Sequence, residues 1–122
     1  MNVVDSSVWL SYFADDPCAG SFAKPIGDFE NLLVPSITLT EVFKSAARQR
    51  NEHAAMLAVA QMKRGRVIDL DESLAVEAAI YGLEFKLPLA DSIIYATARK
   101  FEALLWTRDA DFKDLPGVEY FP

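Results

Sequence analysis

Three short apolar runs, Asn2 to Asp5, Leu32 to Pro35 and Arg66 to Leu70, pass almost without a spacer into residues at helical spacing, and a fourth, Ala103 to Thr107, ends among acids. No other feature limits the folding of this chain as much. Runs of this length suit buried strands, and helices between them leave no length for antiparallel excursions, so the strands run the same way with helices on both faces. The pattern predicts a three-layer α/β/α domain around a mainly parallel sheet of four to five strands. Val118 to Phe121, after the Pro116-Gly117 turn, is the fifth and lies at an edge. A chain of 122 residues holds one such domain, residues 1–122, and buries about two thirds of its unfolded surface.

The helices follow from spacing and caps. Val8, Trp9, Tyr12 and Phe13 share a face; ITLTEVFKSAARQR follows a capping Ser36; Asn51 to Lys63 is rich in alanine and methionine and closes on a Gly65 cap; ESLAVEAAIYGLEFK follows a capping Asp71. Asp15 to Asn31, broken by Pro17, Gly20, Pro25 and Gly27, reads as a loop with room for one short helix. The last helix opens LPLADSIIYATARKF, with Pro88 where no amide donor is needed. Within it Asp91 borders the stripe formed by Ile94, Tyr95, Ala98 and Phe101, which should face the core.

Each acid of interest has a plain structural reading beside the functional one. Asp91 in a first helical turn gains about 0.3–1 kcal/mol from the helix dipole. Asp5 caps the helix beginning at Ser6, or sits at a strand end where open parallel sheets place their ligand crevices. Glu41 pairs with Lys44 for about 0.2–0.5 kcal/mol, or reaches the same sheet edge as Asp5. Asp109 follows the fourth strand. Right-handed crossovers bring these four carboxylates to one edge, where they repel one another unless a hard cation is present. With one cysteine, Cys18, and one histidine, His53 at a helix start, the donors are oxygens, which favours Mg²⁺ or Mn²⁺ over zinc. Such ions activate water and stabilise both oxygens in phosphodiester cleavage, with the acids as holders and not nucleophiles.

A net charge of −6 excludes binding of nucleic acid through a broad basic surface. A polyanionic substrate then requires metal ions or a local basic strip. Asp5 interrupts the amino-terminal apolar residues before a signal sequence develops, and no apolar run approaches the roughly 20 residues of a membrane span, so the expected location is the cytoplasm. The lone cysteine suits a reducing compartment.

The order NVVDSSVWL, VPSITLTEV, LPLADSIIYATA and LLWTRDADF resembles that of the PIN-domain nucleases over essentially the whole chain, and the short length resembles the VapC-type toxins of toxin–antitoxin pairs. The resemblance implies that Asp5, Glu41, Asp91 and Asp109 bind Mg²⁺ or Mn²⁺, with the Thr107 hydroxyl accompanying the fourth acid. Asp111 is an extra acid that reaches metal through water or lies at the surface. The resemblance also implies endoribonuclease activity on structured RNA such as transfer or ribosomal RNA, a homodimer, and an antitoxin that wraps the toxin and occludes its site. Lys44, Arg48 and Arg108 are then candidate phosphate contacts. Three other readings compete. A receiver-like phosphoacceptor domain would carry an acidic pair after the first strand and a lysine after a late one, where this chain has Ser6-Ser7 and Arg108; a haloacid-dehalogenase-like phosphatase would have Asp in place of Ser7. A catalytically silent binding module would lack metal binding.

Overall fold

The computed structural model describes residues 1–122. Five strands, β1 (Asn2–Val4), β2 (Leu32–Pro35), β3 (Arg66–Ile68), β4 (Leu104–Thr107) and β5 (Val118–Tyr120), form one sheet in the order β3-β2-β1-β4-β5. Every pairing is parallel, with Val3 beside Leu33 and Val4 beside Trp106. The six helices are α1 (Ser6–Phe13), α2 (Ala19–Gly27), α3 (Ser36–Gln49), α4 (Glu52–Met62), α5 (Glu72–Phe85) and α6 (Leu89–Lys100). The three-layer expectation holds, and the sheet is wholly parallel instead of mainly so.

The two-residue period of the strands divides the core. Val3, Leu33 and Leu105 point to one face, where they meet Ile94, Tyr95 and Phe112. Val4, Leu32 and Val34 point to the other, against Trp9, Phe22, Val42 and Met62. Central strands apolar on both faces have no place in water, which fixes β1 in the middle of the sheet.

Strand order also sets the position of the crevice. The chain builds outward from β1 to β2 and β3, then returns across β1 to lay down β4 and β5. At such a reversal the connections leave in opposite directions, opening a gap beyond the carboxyl ends of the two strands, here β1 and β4.

Several local expectations are corrected. Between Asp15 and Asn31 the chain forms the nine-residue α2 and a 3-10 turn at Phe29–Asn31, with Pro25 inside the helix. Burial of Phe22 and Ile26 drives that helix despite its breakers. Ser36 is the first residue of α3 and not its cap, which is Pro35. Gly65 is not a helix cap either: Lys63 takes that position, and a Cβ on Gly65 would lie 2.9 Å from the Leu32 carbonyl oxygen, so the glycine permits close approach to β2. No helix is long and apolar enough to cross a membrane.

Candidate active site

Asp5 leaves the end of β1 with its backbone in the N-cap position of α1, and its carbonyl oxygen accepts the Val8 and Trp9 amides that start the helix. Its carboxylate makes no cap bond. Ser7 donates to Oδ2 at 2.7 Å, and Thr107, at the end of β4, donates to the same oxygen at 2.9 Å. Oδ1 is left with only a long contact of 3.4 Å from Ser6. One carboxylate oxygen is therefore held and the other is available, on a side chain only 2% exposed. Burial raises the Asp5 pKa, the Ser7 and Thr107 hydroxyls bring it back down in part, and the Asp109 charge raises it.

The two hydroxyls also fix the loop after β4. Thr107 Oγ1 accepts the Asp109 amide at 2.9 Å, and Ser7 Oγ accepts the Arg108 amide at 3.1 Å. Asp109 in turn accepts the Asp111 amide at 2.9 Å, closing a 3-10 turn over Ala110–Phe112. From that turn Phe112 enters the core and stacks on Tyr95 of α6, ring centroids 6.4 Å apart, while Tyr81 and Phe85 of α5 meet the same tyrosine edge-on. The aromatic contact ties the turn bearing Asp109 and Asp111 to the helix bearing Asp91.

The result is a carboxylate cluster. One oxygen each from Asp91, Asp109 and Asp111 lies within 4.8 Å of the others. Burial first, then the charges of Asp109 and Asp5, push the Asp91 pKa up to about 7. Glu41 comes from the second turn of α3 and is raised chiefly by burial; the Ser6 hydroxyl opposes the shift and the charges of Asp5 and Asp109 add to it. Its Oε1 is buried with no hydrogen-bond partner, and it forms no ion pair with Lys44. Five acids thus bear on one crevice, Asp111 lying in the cluster while itself exposed at the surface.

The basic residues divide. Lys44 and Arg48 are exposed on α3, one and two turns beyond Glu41, and neither forms an ion pair. Arg108 is engaged: its guanidinium donates to Ser11 at 2.9 Å and to Asp16 at 3.0 Å, pinning the loop after β4 to α1 and the residues that follow it. Ser7 was not apparent as a site residue from sequence. The only signal was a hydroxyl two places after a strand-end aspartate, and the Arg108 amide it accepts lies 101 positions away.

A family model described as PIN domain matches residues 3–118. Comparison with curated protein sequences gave no match. Among solved structures the chain is similar to a toxin–antitoxin complex from Klebsiella pneumoniae, at 25% identity and a TM-score of 0.81 over 98% of this chain and 96% of that one. It is also similar to Mycobacterium tuberculosis VapC20, described as a sarcin–ricin loop cleaving toxin, at 22% identity and a TM-score of 0.81 over the whole of both chains. VapBC2 from Rickettsia felis, solved bound to a DNA fragment from its promoter, shares 15% identity with a TM-score of 0.78 over 99% of this chain and 98% of that one. With the family model matching nearly end to end and the acids gathered at the crevice that this strand order creates, the chain belongs to the PIN domain family.

Proposed function

We propose that this protein is a metal-dependent endoribonuclease, the toxin of a toxin–antitoxin pair, which hydrolyses phosphodiester bonds in structured RNA such as transfer or ribosomal RNA. The observation that carries the reading is the carboxylate cluster of Asp91, Asp109 and Asp111, with Asp5 and Glu41 close enough that the acids' charges raise pKa values among them.

Such a cluster is electrostatically costly alone and favourable around a cation. The donors fit Mg²⁺ or Mn²⁺: all are carboxylate oxygens, Glu41 Oε1 is buried without a partner, and Asp5 Oδ1 is engaged only by the long Ser6 contact, so both leave ligating capacity for an ion. In this reading Asp5, Glu41, Asp91 and Asp109 hold the ion, Asp111 assists directly or through water, and Thr107 orients Asp5 while its hydroxyl accepts the amide of Asp109, the fourth acid it accompanies. Bound there, the ion supplies a more acidic water and a counter-charge for the reacting phosphate. Ser7 and Thr107 keep Asp5 in place, and Phe112 keeps the β4 loop against α6. Lys44 and Arg48 stand free to meet phosphates of a bound strand; the paired Arg108 anchors its loop instead.

The partners follow from the relatives. Structures similar to this one were solved as toxin–antitoxin complexes, VapBC and FitAB among them, and VapC20 is described as a sarcin–ricin loop cleaving toxin. A cognate antitoxin, an RNA substrate, a homodimer and a cytoplasmic site of action belong to the same reading. A receiver-like role is disfavoured, because that fold's usual strand order is 2-1-3-4-5 and this sheet runs 3-2-1-4-5.

The test is cleavage of total cellular RNA by the purified protein with Mn²⁺. Discrete fragments that vanish with EDTA and with Asp91→Asn are expected. Intact RNA, or fragments that persist in either control, would count against the reading.

A further inference from the structure

Arginine is the protein cation best matched to carboxylates, because its planar fork can bond both oxygens at once. One arginine, Arg108, stands among the acids of the crevice, next to Asp109 in the chain. Its amide donates to Ser7 Oγ at 3.1 Å, and that hydroxyl donates to Asp5 Oδ2 at 2.7 Å, so the backbone of Arg108 is two hydrogen bonds from a carboxylate of the crevice. A side chain of arginine's length covers that distance. The guanidinium nevertheless turns away: Nη1 donates to Ser11 at 2.9 Å and to Asp16 at 3.0 Å, and Nη2 meets the Pro122 carbonyl oxygen at 3.4 Å. The ion pairs of the protein are Arg108 with Asp16 and Lys100 with Asp71, so none of the five acids at the crevice has a cation of its own.

Asp16 is fixed by its own loop. Asp15 takes a φ of 52°, a left-handed conformation that aspartate tolerates, and redirects the chain beyond α1. The Cys18 amide then donates to Asp16 Oδ1 at 2.8 Å, leaving Oδ2 to the guanidinium. The Asp16 and Arg108 side chains are each 28% exposed, where an ion pair adds little to stability. The loop after β4 also has other ties, since Ser7 and Thr107 accept the Arg108 and Asp109 amides and Phe112 anchors the turn beyond. Anchoring alone therefore leaves the charge of the pair unexplained. What the pair decides is where the guanidinium's charge goes. Released from Asp16, Arg108 would meet carboxylates whose mutual repulsion a cation relieves, and would take oxygens that a divalent ion needs.

We propose that Asp16 is a positioning residue that acts through Arg108, holding the guanidinium off the crevice so that the carboxylates stay open to an external divalent cation. The proposal rests on the metal-binding reading above and adds to it a residue outside the crevice. The experiment is calorimetric titration of Mn²⁺ into the purified full chain and its variants, each with native circular dichroism. Asp16→Asn keeps an oxygen for the Cys18 amide but loses the charge, and should weaken Mn²⁺ binding at least ~10-fold. Adding Arg108→Gln removes the competing cation, and the double variant should return to within about 3-fold of wild type. Asp15→Asn removes an equal charge one residue away, exposed and outside any ion pair, and should stay within about 2-fold. Asp16→Asn binding as wild type does, Asp15→Asn binding as weakly as Asp16→Asn, or a double variant no tighter than Asp16→Asn would each overturn the proposal while the metal centre stands. The last is the result that lost loop anchoring alone would give. A wild type that binds no Mn²⁺ would remove the metal centre and this proposal together.

Discussion

Asp5 and Asp71 occupy the same place in the local grammar of the chain. Each is an aspartate shortly after a parallel strand, in extended backbone at the N-cap of a helix. Asp71 behaves as propensity dictates: its carboxylate accepts the Leu74 amide at 2.8 Å, and Lys100 approaches to 3.8 Å at an exposed position. Asp5 leaves its helix amides uncapped, is buried, and gives one oxygen to hydroxyls from α1 and β4. The cause is the strand each one follows. β3 is an edge strand, so an acid beyond it meets water; β1 is central, at the reversal of strand order, so an acid beyond it meets β4 and the other acids. An identical local signal yields a cap or a ligand according to position in the sheet.

The contrast is broken most strongly by neutralising the buried member. Asp5→Asn should lower RNA cleavage by at least ~10³-fold, the several kcal/mol expected when a metal ligand is lost, while metal-free melting temperature is unchanged or raised. Asp71→Asn should leave initial rates within about 2-fold, since no reacting group lies near it. Truncating Phe112, fully buried against Tyr95, should cost about 3–5 kcal/mol in urea unfolding and loosen the cluster it anchors.

Finer tests concern how the buried acids are held. Ser7→Ala removes the short bond to Asp5 Oδ2 and the acceptor for the Arg108 amide, and should weaken Mn²⁺ binding about 10-fold, with Ser7→Thr recovering most of it in the same titration. The pH dependence of metal-free stability should run opposite to that of a salt-bridged acid. Asp91 titrates near 7 in the folded protein and near the ordinary carboxylate value of about 4 when unfolded, so between these the folded state binds more protons and stability falls as pH rises. Thermal melts from pH 5 to 8 should show this decline, and Asp91→Asn or added Mn²⁺ should flatten it. The smallest effect belongs to the exposed cap: Asp71→Ala should cost about 1 kcal/mol without altering Mn²⁺ affinity.

The architecture was legible because strand length, helical spacing and short connections all pointed to one solution. The order of the acids was legible for the same reason, since parallel topology sends successive strand ends to one edge. What escaped depended on long-range contact. α2 forms because Phe22 and Ile26 are buried, which outweighs Gly20 and Pro25. Arg108, a phosphate contact by resemblance, found Asp16, 92 positions away. The bond from Thr107 to Asp5 spans 102 positions, and Asp111 could be placed within the cluster only once Phe112 was seen to pin its turn. Asp5 itself was readable as a cap or as a ligand, and only the position of β1 decided between them.

The most direct measurement is calorimetric titration of Mn²⁺ into the wild type, Asp5→Asn and Asp71→Asn, each confirmed folded. Saturable binding that is abolished by Asp5→Asn and unchanged by Asp71→Asn is the predicted result. Equal binding by all three proteins, or none by the wild type, would contradict the assignment of a metal centre to the carboxyl ends of β1 and β4.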